Sequence, residues 1–212
     1  MATKVETHDK VPTVAFVGAG LLILTSALFP RIADPADYAG VLDLLVDNAA
    51  RTRLVVLVVP VGIWALAAGV ASLQGRVESR PAASWLRVGL CGVVIGAAAV
   101  TVQFALASAA LADRVAGGSD GTALWAGATY VRSLAMLILW AGLAAVGHAV
   151  FLDRLAARWL GFVLIPVAVA MVIVSAAPIV EGPTARAQLA SGGLAALTAV
   201  WSVAFGVSLA RR

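Results

Sequence analysis

The fold is decided by the stretch WAGATYVRSLAMLILWAGLAAVGHAVF, which runs from Trp125 to Phe151. It contains one charged residue, Arg132, and one histidine, His148. A helix of roughly 20 apolar residues crosses a hydrocarbon layer about 30 Å thick, and this stretch is longer than that. It therefore predicts a membrane-spanning helix.

The rest of the chain has the same character. Hydrophobic residues make up 62% of it, charged residues only 12%, and the mean hydropathy is +0.99. A soluble domain has roughly 25% charged residues, so water is not the main solvent of this protein. Apolar runs occur near 12–30, 54–74, 86–112, 124–151, 159–178 and 186–209. We predict an all-α polytopic membrane protein, with residues 1–212 forming a single domain of six antiparallel transmembrane helices.

Lys and Arg predict the orientation, because cytoplasmic loops carry an excess of these residues. With the N-terminus in the cytoplasm, nine of the 15 Lys and Arg, including Lys4 and Arg212, lie in cytoplasmic segments. We therefore expect a plasma-membrane protein with both termini in the cytoplasm. The pI of about 10.0 follows from this bias and does not indicate nucleic-acid binding, since no basic face interleaved with aromatic residues occurs. The abundance of Ala, Val, Gly and Arg is typical of a GC-rich prokaryote.

The loop after the first apolar run has a helical pattern of its own. Over residues 36–50, apolar residues recur at helical spacing and most charged residues fall on the other side. The apolar positions are Tyr38, Val41, Leu42, Leu45, Val46 and Ala49. We predict a short amphipathic helix on the outer face. It is either a lid or partner surface, or a connector whose apolar side rests on lipid or on the bundle.

Small residues predict which helices pack closely. Gly92 and Gly96 are spaced so that a neighbouring helix can approach between them. Small residues also form ridges at positions 141, 145 and 149 and at positions 191, 195 and 199, so we expect these two helices to pair.

Prolines mark three places where a helix should bend or end. Pro60 and Pro166 lie inside apolar runs and predict kinks, because proline removes a backbone hydrogen bond. We expect Pro178 to end the fifth helix.

Polar and aromatic residues inside the runs are the candidate ligand-binding residues. These are Trp64, Gln103, Arg132, Trp140 and His148. Arg132 would be a counter-charge for an anionic ligand or for an outer acid, or else an anchor at the membrane surface. Gln103 and His148 have a simpler alternative, a hydrogen bond between helices. Arg132 and His148 are separated by roughly 24 Å along a helix, so we expect them not to share one site.

Catalytic and metal-binding patterns are missing from the sequence. Gly117-Gly118-Ser119-Asp120-Gly121 matches the Gly-x-Ser-x-Gly pattern, but it lies in the flexible loop between two apolar runs, without the preceding strand that a nucleophile turn needs. Every Lys precedes residue 11, and no Asp or Glu falls in the middle of an apolar run. Metal sites need clustered His, Cys or carboxylate ligands. We expect no enzyme activity, no metal and no cofactor.

Two segments resemble a family of bacterial membrane proteins known only as a domain of unknown function. They are Asn48-Ala49-Ala50-Arg51-Thr52-Arg53-Leu54, and the run from Ala144 to Phe151 followed by Leu155-Ala156-Ala157-Arg158-Trp159-Leu160-Gly161-Phe162. The resemblance covers nearly the whole chain and implies a six-helix layout, but it implies no catalytic residues.

Two hypotheses about function follow. The first is a non-catalytic accessory subunit or scaffold, with membrane lipid and either a second copy or another membrane protein as partners. The second is a protein that binds or transports an apolar or amphiphilic small molecule or lipid between helices. A pocket lined by Trp64, Gln103 and Trp140 would favour the second hypothesis, and a closed bundle there would favour the first.

Overall fold

The protein folds almost entirely into helices. The computed structural model describes the backbone of residues 5–211 and the side chains of residues 10–211. These residues form seven α-helices and no β-strand. The helices are α1 (Val5–Leu24), α2 (Tyr38–Asp47), α3 (Ala49–Ser72), α4 (Arg80–Val115), α5 (Gly121–Asp153), α6 (Arg158–Glu181) and α7 (Ala185–Ala210). The predicted all-α fold is confirmed, while the roles predicted for Lys4 and Arg212 lie outside the described residues.

Six of these helices are long and apolar enough to cross a membrane, and α2 is the exception. Because the chain crosses six times, the start of α1 and the end of α7 lie on the same side, opposite to α2. The longest helix, α4, has 36 residues and is about 54 Å long at about 1.5 Å per residue. A hydrocarbon layer of about 30 Å is much thinner, so the α4–α5 hairpin extends beyond it.

The six long helices form a ring. Helix α1 packs against α3 and α7, and α5 packs against α4 and α6. Less extensive contacts between α3 and α4, and between α6 and α7, complete the ring. The buried apolar side chains of all six helices belong to one core. The protein is therefore a single helical bundle with two weaker seams.

An aromatic cluster joins α1 to α7. The ring of Phe16 meets Phe205 edge-on at 4.7 Å between centroids, and Trp201 stacks on Phe205 at 4.9 Å. The Ser202 hydroxyl donates to the Phe16 carbonyl at 2.7 Å, which satisfies a polar group in the core. On the other side of α1, Phe16 lies against Gly69 of α3. This cluster holds the first and last spans together.

Helix α2 lies against the end of the bundle. Its buried residues Val41, Leu42 and Leu45 face α3, α4 and α5. On its exposed side, Asp43 forms an ion pair with Arg114 of α4 at 2.8 Å. The predicted amphipathic helix is confirmed, and its apolar side rests on the bundle.

At the end of the bundle opposite α2, a carboxylate joins the α3–α4 connection to the α5–α6 connection. Asp153, at the end of α5, accepts hydrogen bonds from the backbone N–H groups of Glu78 and Ser79 at 2.7 and 3.0 Å. The Arg158 guanidinium lies 4.3 Å from the centre of the Phe151 ring, a cation–π contact. Both contacts fix the short connections on this side.

Two predictions about the helices are wrong, one about a helix pair and one about a helix end. Helices α5 and α7 are not paired, since α7 packs mainly against α1. The small residue Ala199 approaches Gly20 of α1, whereas Ala145 and Ala149 are buried among the neighbours of α5. Pro178 does not end the fifth span, because α6 continues to Glu181. A proline near a helix end removes only one backbone hydrogen bond, so the helix can continue for another turn.

Candidate functional site

Glycines set the register between α4 and α5. A Cβ atom built on Gly89 would lie 2.7 Å from Val146 Cγ2, and one on Gly96 would lie 2.7 Å from Leu139 Cβ. Both distances are shorter than ordinary van der Waals contact, so the two helices touch along these positions. The close approach predicted for Gly92 and Gly96 is therefore confirmed.

The same spacing relates Gln103 and Arg132 in height along the two helices. Gly89, Gly96 and Gln103 follow at intervals of seven residues on α4, as Val146, Leu139 and Arg132 do on α5. Since Gly89 faces Val146 and Gly96 faces Leu139, Gln103 and Arg132 are expected at about the same height, two turns further along.

Arg132 is exposed on α5, and Gln103 on α4 is half-buried. Among the described residues, no hydrogen bond or ion pair joins Arg132 to a protein group. An exposed arginine of this kind suits the anchor interpretation, in which its long side chain reaches the membrane surface.

The outer acid expected beside Arg132 is used elsewhere. Asp113 accepts a hydrogen bond from the Gly121 backbone N–H at 2.6 Å and so caps the first turn of α5. Glu181 is exposed at the end of α6, and within the described part of the chain it forms no ion pair with Arg132. Neither acid pairs with Arg132 among the described residues, which leaves the other two interpretations of Arg132, an anionic ligand and an anchor at the membrane surface.

Trp64 and Trp140 have different surroundings. Trp64 is 44% exposed on α3, and its indole Nε1 donates to the Thr101 hydroxyl on α4 at 3.1 Å. Trp140 is buried in the core, and no group within the described residues accepts a hydrogen bond from its Nε1. One indole joins two helices at the surface, while the other leaves a donor unpaired inside.

His148 belongs to the opposite end of α5. Its ring is half-buried and meets the edge of Trp85 on α4, with centroids 4.9 Å apart. The contact joins α4 to α5 near the start of α4. The prediction that His148 and Arg132 do not share a site agrees with this position.

A groove between α6 and α7 was not predicted from the sequence. It has a volume of about 220 Å³ and an almost wholly apolar lining. Trp159, Leu164 and Val167 line one wall, and Leu197 and Trp201 line the other. The groove follows from the limited contact between these two helices, which no local pattern reveals.

A second, more polar pocket lies at the start of α4. It measures about 350 Å³ and is lined by Gln74, Gly75, Val77, Ala83, Leu86 and Arg87. None of the five predicted ligand-binding residues lines this pocket or the α6–α7 groove. Within the described residues, no group of three His, Cys, Asp or Glu side chains is placed to hold a metal ion.

These observations define the class of the molecule, a polytopic α-helical membrane protein with an exposed arginine on α5 and an apolar groove between α6 and α7. Comparison with family models, with curated proteins and with solved structures found no match. The resemblance to a six-helix family therefore stays a prediction.

Proposed function

We propose that this protein is a non-catalytic accessory subunit or scaffold that acts by binding another membrane protein or a second copy of itself. The observation that carries the proposal is an unpartnered pair of glycines on α7. A Cβ atom built on Gly192 or Gly193 would meet nothing within 4 Å. Glycine is a poor helix former, and its use in a membrane helix is understandable where another helix approaches closely.

The internal crossings of the bundle support this reasoning. Gly20 lies against Ala199, Gly96 against Leu139, and Gly147 against Gly161. At each of these crossings the missing side chain lets a neighbouring helix approach. Gly192 and Gly193 are exposed on the membrane-spanning helix α7, and no helix among the described residues lies against them. A helix from another chain would complete the pattern.

Photo-crosslinking in native membranes tests the proposal. A crosslinking amino acid is placed at Gly193 and, as a control, at Ile173 of α6, an exposed position whose side chain fills the space that a glycine would leave. We expect a discrete protein adduct from position 193 and none from position 173, with the adduct mass distinguishing a second copy from another protein. Lipid adducts alone at both positions would contradict the proposal. A Gly193→Leu variant should reduce the yield of the complex.

The same proposal includes a location and an orientation. We place the protein in the plasma membrane of a prokaryote with both termini in the cytoplasm, supported by the excess of Lys and Arg on the side opposite α2. Single cysteines introduced at Asp43 and at Arg76 in a Cys91→Ser background provide the test. A membrane-impermeant thiol reagent added to whole cells should label position 43 and leave position 76 unlabelled. The reverse pattern would overturn the orientation.

A second candidate function is the binding of an apolar or amphiphilic molecule, and the groove between α6 and α7 favours it. Its walls are apolar and it contains Trp159 and Trp201, which suits a lipid acyl chain. Replacing Leu197 by Trp should fill the groove. If the proposal holds, native mass spectrometry will find fewer bound lipids on this variant than on one with Leu189 replaced by Trp, because Leu189 is exposed on α7 outside the groove.

A further inference from the structure

The polar pocket at the start of α4 is enclosed by two segments that the fold holds together. It measures about 350 Å³, with Gln74, Gly75 and Val77 of the α3–α4 connection on one side and Ala83, Leu86 and Arg87 of α4 on the other. The Asp153 carboxylate fixes this connection by accepting hydrogen bonds from the Glu78 and Ser79 backbone. The pocket therefore has a fixed wall.

Two side chains of the lining can donate hydrogen bonds to an anion. The Arg87 guanidinium has two parallel N–H donors that match a phosphate, and the Gln74 amide adds another N–H donor. Within residues 10–211, neither side chain forms a hydrogen bond or an ion pair with another protein group. Both side chains can therefore bind a ligand in the pocket.

The charge around the pocket favours a negative ligand. Residues 74–87 include three arginines, Arg76, Arg80 and Arg87, and only one acid, Glu78. An excess of positive charge raises the local concentration of anions. Basic pockets between membrane helices near the membrane surface bind the head groups of anionic lipids.

The pocket lies at the height of the lipid head groups on the side opposite α2. Trp85, which is 45% exposed, precedes the lining residues Leu86 and Arg87, and tryptophan is enriched at the membrane–water interface. After Arg87, α4 contains no charged residue before Asp113. The hydrocarbon layer therefore begins close to Arg87, and the phosphate of a lipid in this leaflet would be level with the pocket.

An exposed seam between α3 and α4 continues from the pocket into the membrane. These two helices contact each other less than α4 and α5 do, and the Trp64 indole donates to the Thr101 hydroxyl across the seam at 3.1 Å. Arg87, Val94 and Thr101 follow at intervals of seven residues, so they lie on nearly the same side of α4, which faces α3. Val94 is exposed there.

The length of the seam suits an acyl chain. Arg87 and Thr101 are separated by about 21 Å at about 1.5 Å per residue. One leaflet accounts for half of a hydrocarbon layer of about 30 Å, which is shorter than this distance. An acyl chain of one leaflet can therefore lie along the seam while its phosphate group is in the pocket.

We propose that the pocket and the seam bind an anionic phospholipid of the leaflet opposite α2. Its phosphate group binds Arg87 and Gln74, and one acyl chain lies along the α3–α4 seam. A phospholipid accounts for both features, because the pocket is polar and the seam beside it is apolar. The site lies on α3 and α4, so it is separate from the α7 surface and from the α6–α7 groove, and it does not rest on either function proposed above.

Native mass spectrometry of the full-length, delipidated protein tests the proposal. Phosphatidylglycerol and phosphatidylcholine with identical acyl chains are titrated separately. We expect phosphatidylglycerol to bind roughly fivefold more tightly or better, because its head group has a net negative charge. Thermal unfolding in detergent is also followed with sodium phosphate at constant ionic strength, and phosphate alone should not stabilise the protein. Equal binding of the two lipids, or stabilisation by phosphate without a preference for phosphatidylglycerol, would overturn the proposal.

Variants decide whether the preference comes from this site. Arg87→Gln should abolish the preference for phosphatidylglycerol, and Gln74→Leu should reduce it less. Arg211→Gln removes an exposed positive charge at the same end of the bundle, outside the pocket, and should leave the preference unchanged. Leu197→Trp, which fills the α6–α7 groove, should also leave it unchanged, so the two lipid sites are distinguished.

A second substitution at the same position covers a failure to fold. If Arg87→Gln does not fold, Arg87→Lys keeps the charge without the two parallel donors and should bind phosphatidylglycerol more weakly than the native protein. A preference of native size in the Arg87 variant that folds would overturn the proposal.

Discussion

Gly92 of α4 and Gly142 of α5 meet backbone to backbone, with a Cβ atom built on Gly92 lying only 2.8 Å from the Cα of Gly142. A Cβ on Gly142 would in turn lie 2.7 Å from the Val93 backbone nitrogen. Backbone atoms cannot move aside as the end of a flexible side chain can. This crossing therefore sets the distance between α4 and α5, the two longest helices, and their register.

Gly142→Ala should destabilise the protein by about 1–3 kcal/mol, because the added methyl group must push α4 and α5 apart. Gly127→Ala is the matched control on the same helix, where the added Cβ meets nothing within 4 Å. Its stability should stay the same or rise slightly, since alanine favours a helix over glycine. Reversible unfolding in mixed detergent micelles measures both free energies. Equal effects of the two substitutions would show that the crossing is looser than the structure indicates.

Two buried tryptophans should respond differently to the same substitution. Trp201 and Trp140 are 6% and 4% exposed, but only the Trp201 indole has an acceptor, the Leu160 carbonyl at 2.8 Å. Replacing either by Phe removes similar volume, but Trp201→Phe also removes a hydrogen bond. We expect Trp201→Phe to cost about 1 kcal/mol more than Trp140→Phe in the free energy of unfolding. A larger loss for Trp140→Phe would mean that the Trp140 Nε1 has a bound partner.

The attachment of α2 should depend on pH. Hydrogen bonds from Arg114 hold the pKa of the Asp43 carboxyl below its ordinary value. A lowered pKa in the folded state means that the pair stabilises the fold above the ordinary pKa of an aspartate. This contribution is lost as the pH falls through the lowered pKa.

Hydrogen exchange of the α2 amides, compared between native protein and Asp43→Asn at each pH, measures this effect. The variant should exchange faster at neutral pH, and the difference should vanish in acid. Because the pair is exposed, added salt should reduce the difference at neutral pH. If Asp43→Asn still exchanged faster than the native protein at acidic pH, the difference in exchange would have a cause other than the ion pair.

Removing the Asp153 carboxylate should loosen the connection between α3 and α4. Its oxygen Oδ2 accepts hydrogen bonds from the backbone N–H groups of Glu78 and Ser79. Without this carboxylate, both N–H groups would lose their acceptor. Asp153→Ala should reduce the free energy of unfolding by about 1–3 kcal/mol and speed hydrogen exchange at both amides. Asp153→Asn keeps an acceptor oxygen and should have a smaller effect. Unchanged exchange at residues 78 and 79 in the Ala variant would contradict this role.

Most of the membrane-spanning layout could be predicted from the sequence. All six predicted runs are helices, and the amphipathic pattern near residues 36–50 is α2. The predicted bounds were shorter than the real ones at several ends, most clearly for α4, which begins at Arg80 and reaches Val115. Charged residues end an apolar run but do not end a helix, so hydropathy marks the membrane and not the helix bounds.

The candidate site was only partly predictable. The sequence identified Gln103, Arg132 and Trp140 as polar groups in apolar runs, but it did not indicate which groups surround them. Arg132 is exposed and Gln103 is half-buried, and this difference depends on how α4 and α5 are rotated against their neighbours. For the same reason Trp64 lies at the surface while Trp140 is buried in the core. The α6–α7 groove had no local signal, since it arises where two helices pack less closely.

What the sequence alone determined is the number of crossings and the helical class. The free energy of placing a segment in lipid depends on the residues of that segment, and inside lipid its backbone must form its own hydrogen bonds. Only the tertiary structure decided which helices are neighbours, which acids are already paired, and why Arg132 is left without a counter-charge. Those properties depend on the rotation and register of helices far apart in the chain, and between apolar helices in lipid they are set by close packing instead of by hydropathy.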